Sequence, residues 1–218
     1  MDDLNLSLDE LRSLTKHILI AHKTSEANAS QVAEALMLAE ADGQKGHGAS
    51  RIPSYAAQSL SGKVDGHATP TSAQVGAAAL RIDARSGFAY PALNLATEDL
   101  ASLAHHTGIA AATVAHSHHS GVAGHQVEAL ARRGLVALSF GNGPVAIAPW
   151  GGNKGVFGTN PLAFAAPRPD LDPLVIDMSL SKVARGKINA AAQVGETIPE
   201  GWALDTDGNP TTDPQAAL

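Results

Sequence analysis

The stretch Gly46-His47-Gly48-Ala49-Ser50-Arg51 puts an imidazole and a guanidinium four residues apart. An imidazole gives or takes a proton near neutral pH. A guanidinium grips a carboxylate with two parallel hydrogen bonds. The glycines on both sides of His47 let a ligand come close to the backbone. A 2-oxo acid needs both devices: a proton donor for its carbonyl and a clamp for its carboxylate. An interdomain loop with a solvated histidine and a surface arginine would have the same sequence.

A second cluster is His116-Ser117-His118-His119-Ser120-Gly121, with His125 beyond it. It lies between a predicted strand and a predicted helix, where layered α/β proteins place their ligands. Nucleotide or substrate contact, a metal site and a plain polar loop are the three readings. The metal reading lacks a neighbouring carboxylate. Gly141-Asn142-Gly143-Pro144-Val145-Ala146 matches the relaxed dinucleotide fingerprint, but the motif should open a helix. Pro144 and Pro149 bracket it and Trp150-Gly151-Gly152 follow, so a Rossmann site is rejected. The run from Gly151-Gly152-Asn153-Lys154-Gly155 to Gly158-Thr159-Asn160-Pro161 is no P-loop, yet its amides could face phosphate or ribose. Asp177-Met178-Ser179 closes an apolar strand. Its carboxylate could accept from ribose hydroxyls or cap a helix, with Ser179 or Ser181 as alternative caps. Arg185 and Lys187 follow, and Arg185 reads as part of a solvated helix face.

The elements that must position these residues fall into two parts. The first third is helical. Ser7-Leu8-Asp9-Glu10 is a capping box, with Leu11, Leu14 and Ile18 at helical spacing behind it. A second helix is predicted over 27–41, with Val32, Leu36 and Ala39 as its apolar stripe and Gly43 as its stop. Pro53 opens a third through Leu60. The turn-rich segment 61–67 is the candidate boundary, giving an N-terminal helical, substrate-binding domain over 1–65 and a nucleotide-binding domain over 66–218. In the second part strands are predicted at 77–83, 109–115, 135–140, 162–166 and 174–176, and helices at 90–106, 122–133 and 182–193. Such alternation argues for an α/β layered domain. The tail from 198 to 218 reads as loop, an unusual end for a compact domain, and a continuation beyond it is expected.

Composition narrows the function. The chain has 218 residues, 44% apolar and 17% charged, as in globular proteins. A net charge of −6 offers no basic excess for a phosphate backbone, so nucleic acid is not an expected partner. The absence of cysteine excludes disulfides, thiolate metal sites and a cysteine nucleophile. The acidic N-terminus does not read as a signal peptide, and no run approaches the roughly 20 apolar residues of a membrane span. A cytoplasmic protein is therefore expected, with no membrane partner.

Together the segments 46–55, 117–121, 149–152, 158–161, 176–179 and 198–205 resemble the malate/L-lactate dehydrogenase family of the sulfolactate and ureidoglycolate dehydrogenase type. The resemblance runs through the whole chain in order and spacing. It implies an α/β fold with a mixed, largely antiparallel sheet flanked by helices, distinct from the Rossmann dehydrogenases. It implies NAD or NADP as cofactor, a small 2-hydroxy or 2-oxo acid as substrate, no metal, and a homodimer. His47 would be the proton donor in reduction and Arg51 would hold the substrate carboxylate. His119 would lie near the nicotinamide and compete for the acid/base role. Ser120, Gly121, Gly143, Thr159, Asn160, Asp177, Met178 and Ser179 would touch the cofactor. Two positions depart from the pattern. Gly46 replaces the family's serine. Lys187 stands where the cyclic-imine reductases carry aspartate, which favours a hydroxy-acid substrate. The family also continues past the segment matching 210–214, so a C-terminally truncated and inactive nucleotide-binding fragment is the competing expectation.

Overall fold

The computed structural model describes residues 5–218. Three α-helices come first: α1 (Leu8–Ala21), α2 (Glu26–Ala41) and α3 (Ile52–Leu60). The predicted capping box holds at α1: the Ser7 hydroxyl accepts from Glu10 N–H while the Glu10 carboxylate accepts from Ser7 N–H. The expected stripe on α1 is partly wrong. Leu14 is 43% exposed, and Thr15 and Leu19 are buried instead. Val32, Leu36 and Ala39 of α2 are buried as their spacing predicts. These helices share one core in which Leu19, Val32, Leu36, Met37, Ile52 and Tyr55 meet Val64, Phe88 and Tyr90. The buried Asn28 side chain on α2 donates to the carbonyls of Gly66 (2.8 Å) and Ala68 (2.9 Å) and so anchors the chain that follows the helices.

Strands β1 (Thr71–Gly76), β2 (Ala79–Asp83) and β3 (Ala111–Ala115) form the next sheet. β1 pairs antiparallel with β2, and β2 pairs parallel with β3. Helix α4 (Ala89–Thr107) makes the crossover between them and covers the sheet with Ala92 and Ala96 against Leu80 and Ile82. The left-handed Gly108 (φ 80°) ends α4, a conformation that costs glycine nothing and other residues roughly 1–2 kcal/mol. β3 therefore begins at Ala111, two residues later than predicted.

Helix α5 (Ala123–Ala131) then leads to the antiparallel sheet β4 (Ala137–Phe140), β5 (Leu162–Arg168) and β6 (Leu171–Met178). On the face toward α5 the sheet presents Ala137, Ala163 and Ala165, against Val127 and Ala131. Small side chains on both layers let helix and sheet approach closely. The opposite face carries Leu138 and Phe140, which pair in register with Phe164 and Leu162, and these with Ile176 and Met178. Most of it is open to solvent, Phe140 at 73%. Helix α6 (Arg185–Val194) follows, and β7 (Ala203–Leu204) and β8 (Pro210–Thr211) make a small hairpin in the tail that was predicted as loop. Among the described residues β2–β3 is the single parallel pairing, so the architecture is the expected mixed, largely antiparallel α/β arrangement. No described helix is long and apolar enough to cross a membrane.

Candidate active site

The loop between α2 and α3 is built to hold His47 and Arg51. It passes through two short 3-10 turns, Lys45–His47 and Ala49–Arg51. Glu40, in the last turn of α2, accepts from Ala49 N–H at 2.6 Å and fixes the loop from below. Gly48 packs against that carboxylate, and a Cβ there would lie 2.3 Å from it. Arg51 stands at the N-cap of α3. Its Nε donates to the Gly46 carbonyl at 2.6 Å, and among the described residues its terminal nitrogens have no partner.

One helical turn on from Arg51 is Tyr55, fully buried at the heart of the helical core. Its hydroxyl lies 2.7 Å from Nδ1 of His119 and 3.2 Å from the hydroxyl of Tyr90. The His119 ring stacks on His47, with centroids 5.6 Å apart and planes 12° from parallel. The structure thus brings together His47, Arg51 and His119 from two loops far apart in sequence, and adds Tyr55 and Tyr90. The four-residue spacing of Arg51 and Tyr55 at a helix start was a signal for Tyr55. Tyr90, at the start of α4, gave none.

The histidine cluster itself is split. His116, with φ 50°, turns outward and its Nδ1 sits 3.1 Å from the Asp83 carboxylate. His118 points back to α3, where its Nε2 meets Gln58 at 2.9 Å. His125, in the first turn of α5, pairs with Asp42 at 2.9 Å. Among the described residues no three His, Cys, Asp or Glu side chains are gathered into a group that could hold a metal ion.

Electrostatics follow from burial and from Arg51. Burial and the Arg51 guanidinium push His47 below the ordinary histidine range, against an opposing pull from Asp177. Burial, then Arg51, His47 and His118, push His119 down to about 3. His119 is nonetheless exposed as a residue, which moderates the desolvation. His118 is pushed down to about 4 by burial, Lys63 and Arg51. Burial pushes Tyr55 and Tyr90 up, so both keep their hydroxyl protons. At neutral pH the site is a set of neutral imidazoles and phenols around one fixed positive charge.

The remaining predicted residues divide between the turn after His119, the loop before β5 and the end of β6. Ser120 and Gly121 follow His119 directly, with Gly121 (φ 68°) lying against the Tyr90 ring. Asn160 accepts from Gly143 N–H at 2.9 Å, and Thr159 lies across from Gly143. Ser179 donates to the Thr159 carbonyl at 3.2 Å and contacts Ser181 at 2.6 Å. Met178 is paired with Leu162 on the open face of the sheet. Asp177 does not cap the helix that follows it. Its carboxylate accepts from Gly124 N–H at 2.8 Å, at the start of α5, and the N-cap of α6 is Ala184 with no side-chain bond. The sequence could not show this because α5 precedes Asp177 by some fifty residues and reaches it through sheet pairing. Gly141 to Ala146 opens no helix. Instead the chain loops out and closes on itself at an Ile147–Phe157 bridge, in keeping with the rejected Rossmann motif. Lys187 is exposed in the first turn of α6, and Arg185, also exposed, donates to the Leu218 carbonyl at 2.8 Å.

The family model for malate/L-lactate dehydrogenase matches residues 6–218, and the chain belongs to that family. It is 51% identical over 213 residues to a (2R)-3-sulfolactate dehydrogenase (NADP+) of Chromohalobacter salexigens, an alignment covering 98% of this chain and 64% of that protein. It is 46% identical over 209 residues to a Δ1-pyrroline-2-carboxylate/Δ1-piperideine-2-carboxylate reductase of Pseudomonas putida, covering 96% and 61%. The crystal structure of a Δ1-piperideine-2-carboxylate reductase from Pseudomonas syringae superposes with a TM-score of 0.93 at 41% identity, over 99% of this chain and 65% of that one. The chain therefore spans a little under two thirds of the length of these relatives.

Proposed function

We propose that this chain carries the substrate face of an oxidoreductase that moves a hydride between NAD or NADP and a small 2-hydroxy acid or its 2-oxo acid. The observation that carries the reading is the stack of His47 on His119, with the Arg51 guanidinium four residues on from His47 and near enough for its charge to disfavour protonation of both imidazoles. Arg51 would grip the substrate carboxylate through its terminal nitrogens. His47, neutral at pH 7, would take the hydroxyl proton in oxidation and return it to the oxygen in reduction. His119, stacked on His47, would contact the same oxygen. The nicotinamide, when bound, supplies or receives the hydride.

Ribose and phosphate need amide and hydroxyl donors. The residues that would meet them are Ser120, Gly121, Gly143, Thr159, Asn160, Asp177, Met178 and Ser179, among which Gly143 is tied to Asn160 and Thr159 to Ser179. In this reading the helices of 1–65 hold substrate, 66–218 hold the cofactor, and two copies associate. The NADP+ in the name of the C. salexigens relative supports a phosphorylated nicotinamide cofactor.

A second reading is reduction of a cyclic imino acid, which the names of the P. putida and P. syringae relatives favour. Its substrate also carries a carboxylate for Arg51. Lys187, standing where the resemblance gives the cyclic-imine reductases an aspartate, speaks for the hydroxy acid. The test is consumption of NADH and NADPH with a panel of 2-oxo acids and cyclic imines. Turnover of a 2-oxo acid is expected, with His47→Ala abolishing most of it and Arg51→Ala raising KM for the acid at least tenfold. Turnover of imines alone would transfer the assignment to the second reading. Cofactor binding by calorimetry without turnover of any substrate would leave a nucleotide-binding chain.

A further inference from the structure

We infer that Tyr55, supported by Tyr90, is a positioning residue that holds His119 as the tautomer with its proton on Nε2, so that His119 offers a bound ligand a fixed hydrogen-bond donor. Nδ1 of His119 has two neighbours. One is the Tyr55 hydroxyl at 2.7 Å. The other is the backbone N–H of Gly121 at 3.4 Å. A backbone N–H can only donate. Nδ1 must therefore accept, and it carries no proton.

The direction of the other bonds follows. The Tyr55 O–H donates to Nδ1, and its oxygen is left to accept from the Tyr90 O–H at 3.2 Å. The result is a one-way chain from Tyr90 to Tyr55 to His119. Both phenols are buried and keep their protons, so each has one O–H to donate, and the direction of the chain is set by the acceptor at Nδ1. Gly121 completes the device. A Cβ there would lie 2.5 Å from the Tyr90 hydroxyl, so the residue that donates its N–H is also the one whose missing side chain admits Tyr90.

A neutral imidazole whose Nδ1 accepts has its proton on Nε2. Protonating Nδ1 would set an N–H against the Gly121 N–H and would add a charge beside Arg51, His47 and His118, the ionisable groups that face this ring besides Tyr55 and Tyr90. A neutral imidazole is far too weak an acid to give up Nε2–H as a proton near neutral pH, but it is a good hydrogen-bond donor to a carbonyl or alkoxide oxygen. The side chain of His47 has no hydrogen bond to any described residue, so the exchange of a proton falls to His47. This division of labour rests on the oxidoreductase reading above. The tautomer itself does not.

The test is a long-range nitrogen–proton NMR correlation on the 218-residue chain labelled with 15N-histidine, with His119 assigned from the His119→Gln spectrum. No substrate or cofactor is added, so the result stands apart from whether the chain turns over an acid. The expected wild-type pattern is a single tautomer, unprotonated at Nδ1 and protonated at Nε2, unchanged from pH 8 to pH 5. Tyr55→Phe keeps the ring and its packing and removes the donor. It is expected to mix the two tautomers and to raise the His119 titration midpoint. Tyr90→Phe is expected to shift Nδ1 in the same direction by a smaller amount. A wild-type His119 with its proton on Nδ1 overturns the inference, and so does a Tyr55→Phe spectrum identical to wild type. If Tyr55→Phe does not fold, the wild-type pattern and the Tyr90→Phe shift decide.

Discussion

Replacing Gly121 by alanine is expected to cost far more stability than the same change at another left-handed glycine, and the difference can be worked out from two positions. At Gly108 the backbone is left-handed (φ 80°) and an added Cβ meets nothing within 4 Å. Gly108→Ala therefore bears only the backbone cost, about 1–2 kcal/mol. Gly121 has a similar backbone (φ 68°), but its Cβ would come within 2.5 Å of the Tyr90 hydroxyl and 3.0 Å of the ring edge. Tyr90 is 3% exposed and its ring is part of the helical core, so it has no room to retreat. Overpacking of that kind adds about 1–3 kcal/mol. Gly121→Ala is then expected to lose about 2–5 kcal/mol, the sum of the two terms. Urea unfolding followed by far-UV circular dichroism gives both values on the same chain. Combining Gly121→Ala with Tyr90→Phe removes the atom at 2.5 Å and is expected to recover part of the contact cost but none of the backbone cost. A Gly121→Ala loss no greater than that of Gly108→Ala would show that Tyr90 is not pinned there, and the geometry drawn for the phenol chain would fail with it.

Two further outcomes follow from the same packing. Asn28→Leu leaves the buried Ala68 carbonyl without its donor, while the Gly66 carbonyl keeps the Ser25 N–H, and is expected to lower stability by about 1–3 kcal/mol, measured by denaturant midpoint; no loss would mean that water replaces the amide. His118, about 4 in the fold against about 6.5 when unfolded, binds fewer protons folded than unfolded between those values. Its contribution to stability is therefore complete above about pH 6.5 and is lost as pH falls toward 4, with a slope of at most about 1.4 kcal/mol per pH unit, less whatever its solvent-facing edge screens. The pH dependence of the urea midpoint is expected to be shallower in His118→Gln, and equal slopes would refute the assignment.

Local signals carried much of this fold. The Ser7–Glu10 box, the α2 stripe and the glycines after α4 and α5 mark helix limits because each acts within a few residues. Strand β1 escaped notice for an equally local reason. Its residues, Thr71 to Gly76, are all exposed and mix polar with small side chains, so no buried face marks them. The site was legible in part. His47, Arg51 and His119 stood out by type and spacing, and the structure joins them. The sequence could not say that His116, His118 and His119 point to three different partners, because that depends on the turn at His116. Nor could it find Tyr90, whose role needs α4 to start beside α3, or the Asp177–Gly124 bond, which exists only once β6 lies beside α5.

The contacts that make the site close long loops. Tyr55 and His119 are 64 residues apart, Asp42 and His125 are 83 apart, and Gly124 and Asp177 are 53 apart. The helices α1 and α2 and the hairpin of β5 and β6 join near neighbours instead. Loop closure must be met before distant contacts reward it, so the near elements have the kinetic advantage. The site is thus expected to be the last part of the molecule secured on folding and the first to come apart on partial unfolding. Under rising denaturant the single-tautomer histidine signal is expected to vanish while helical ellipticity persists. Coincident loss of the two would make the whole chain one cooperative unit.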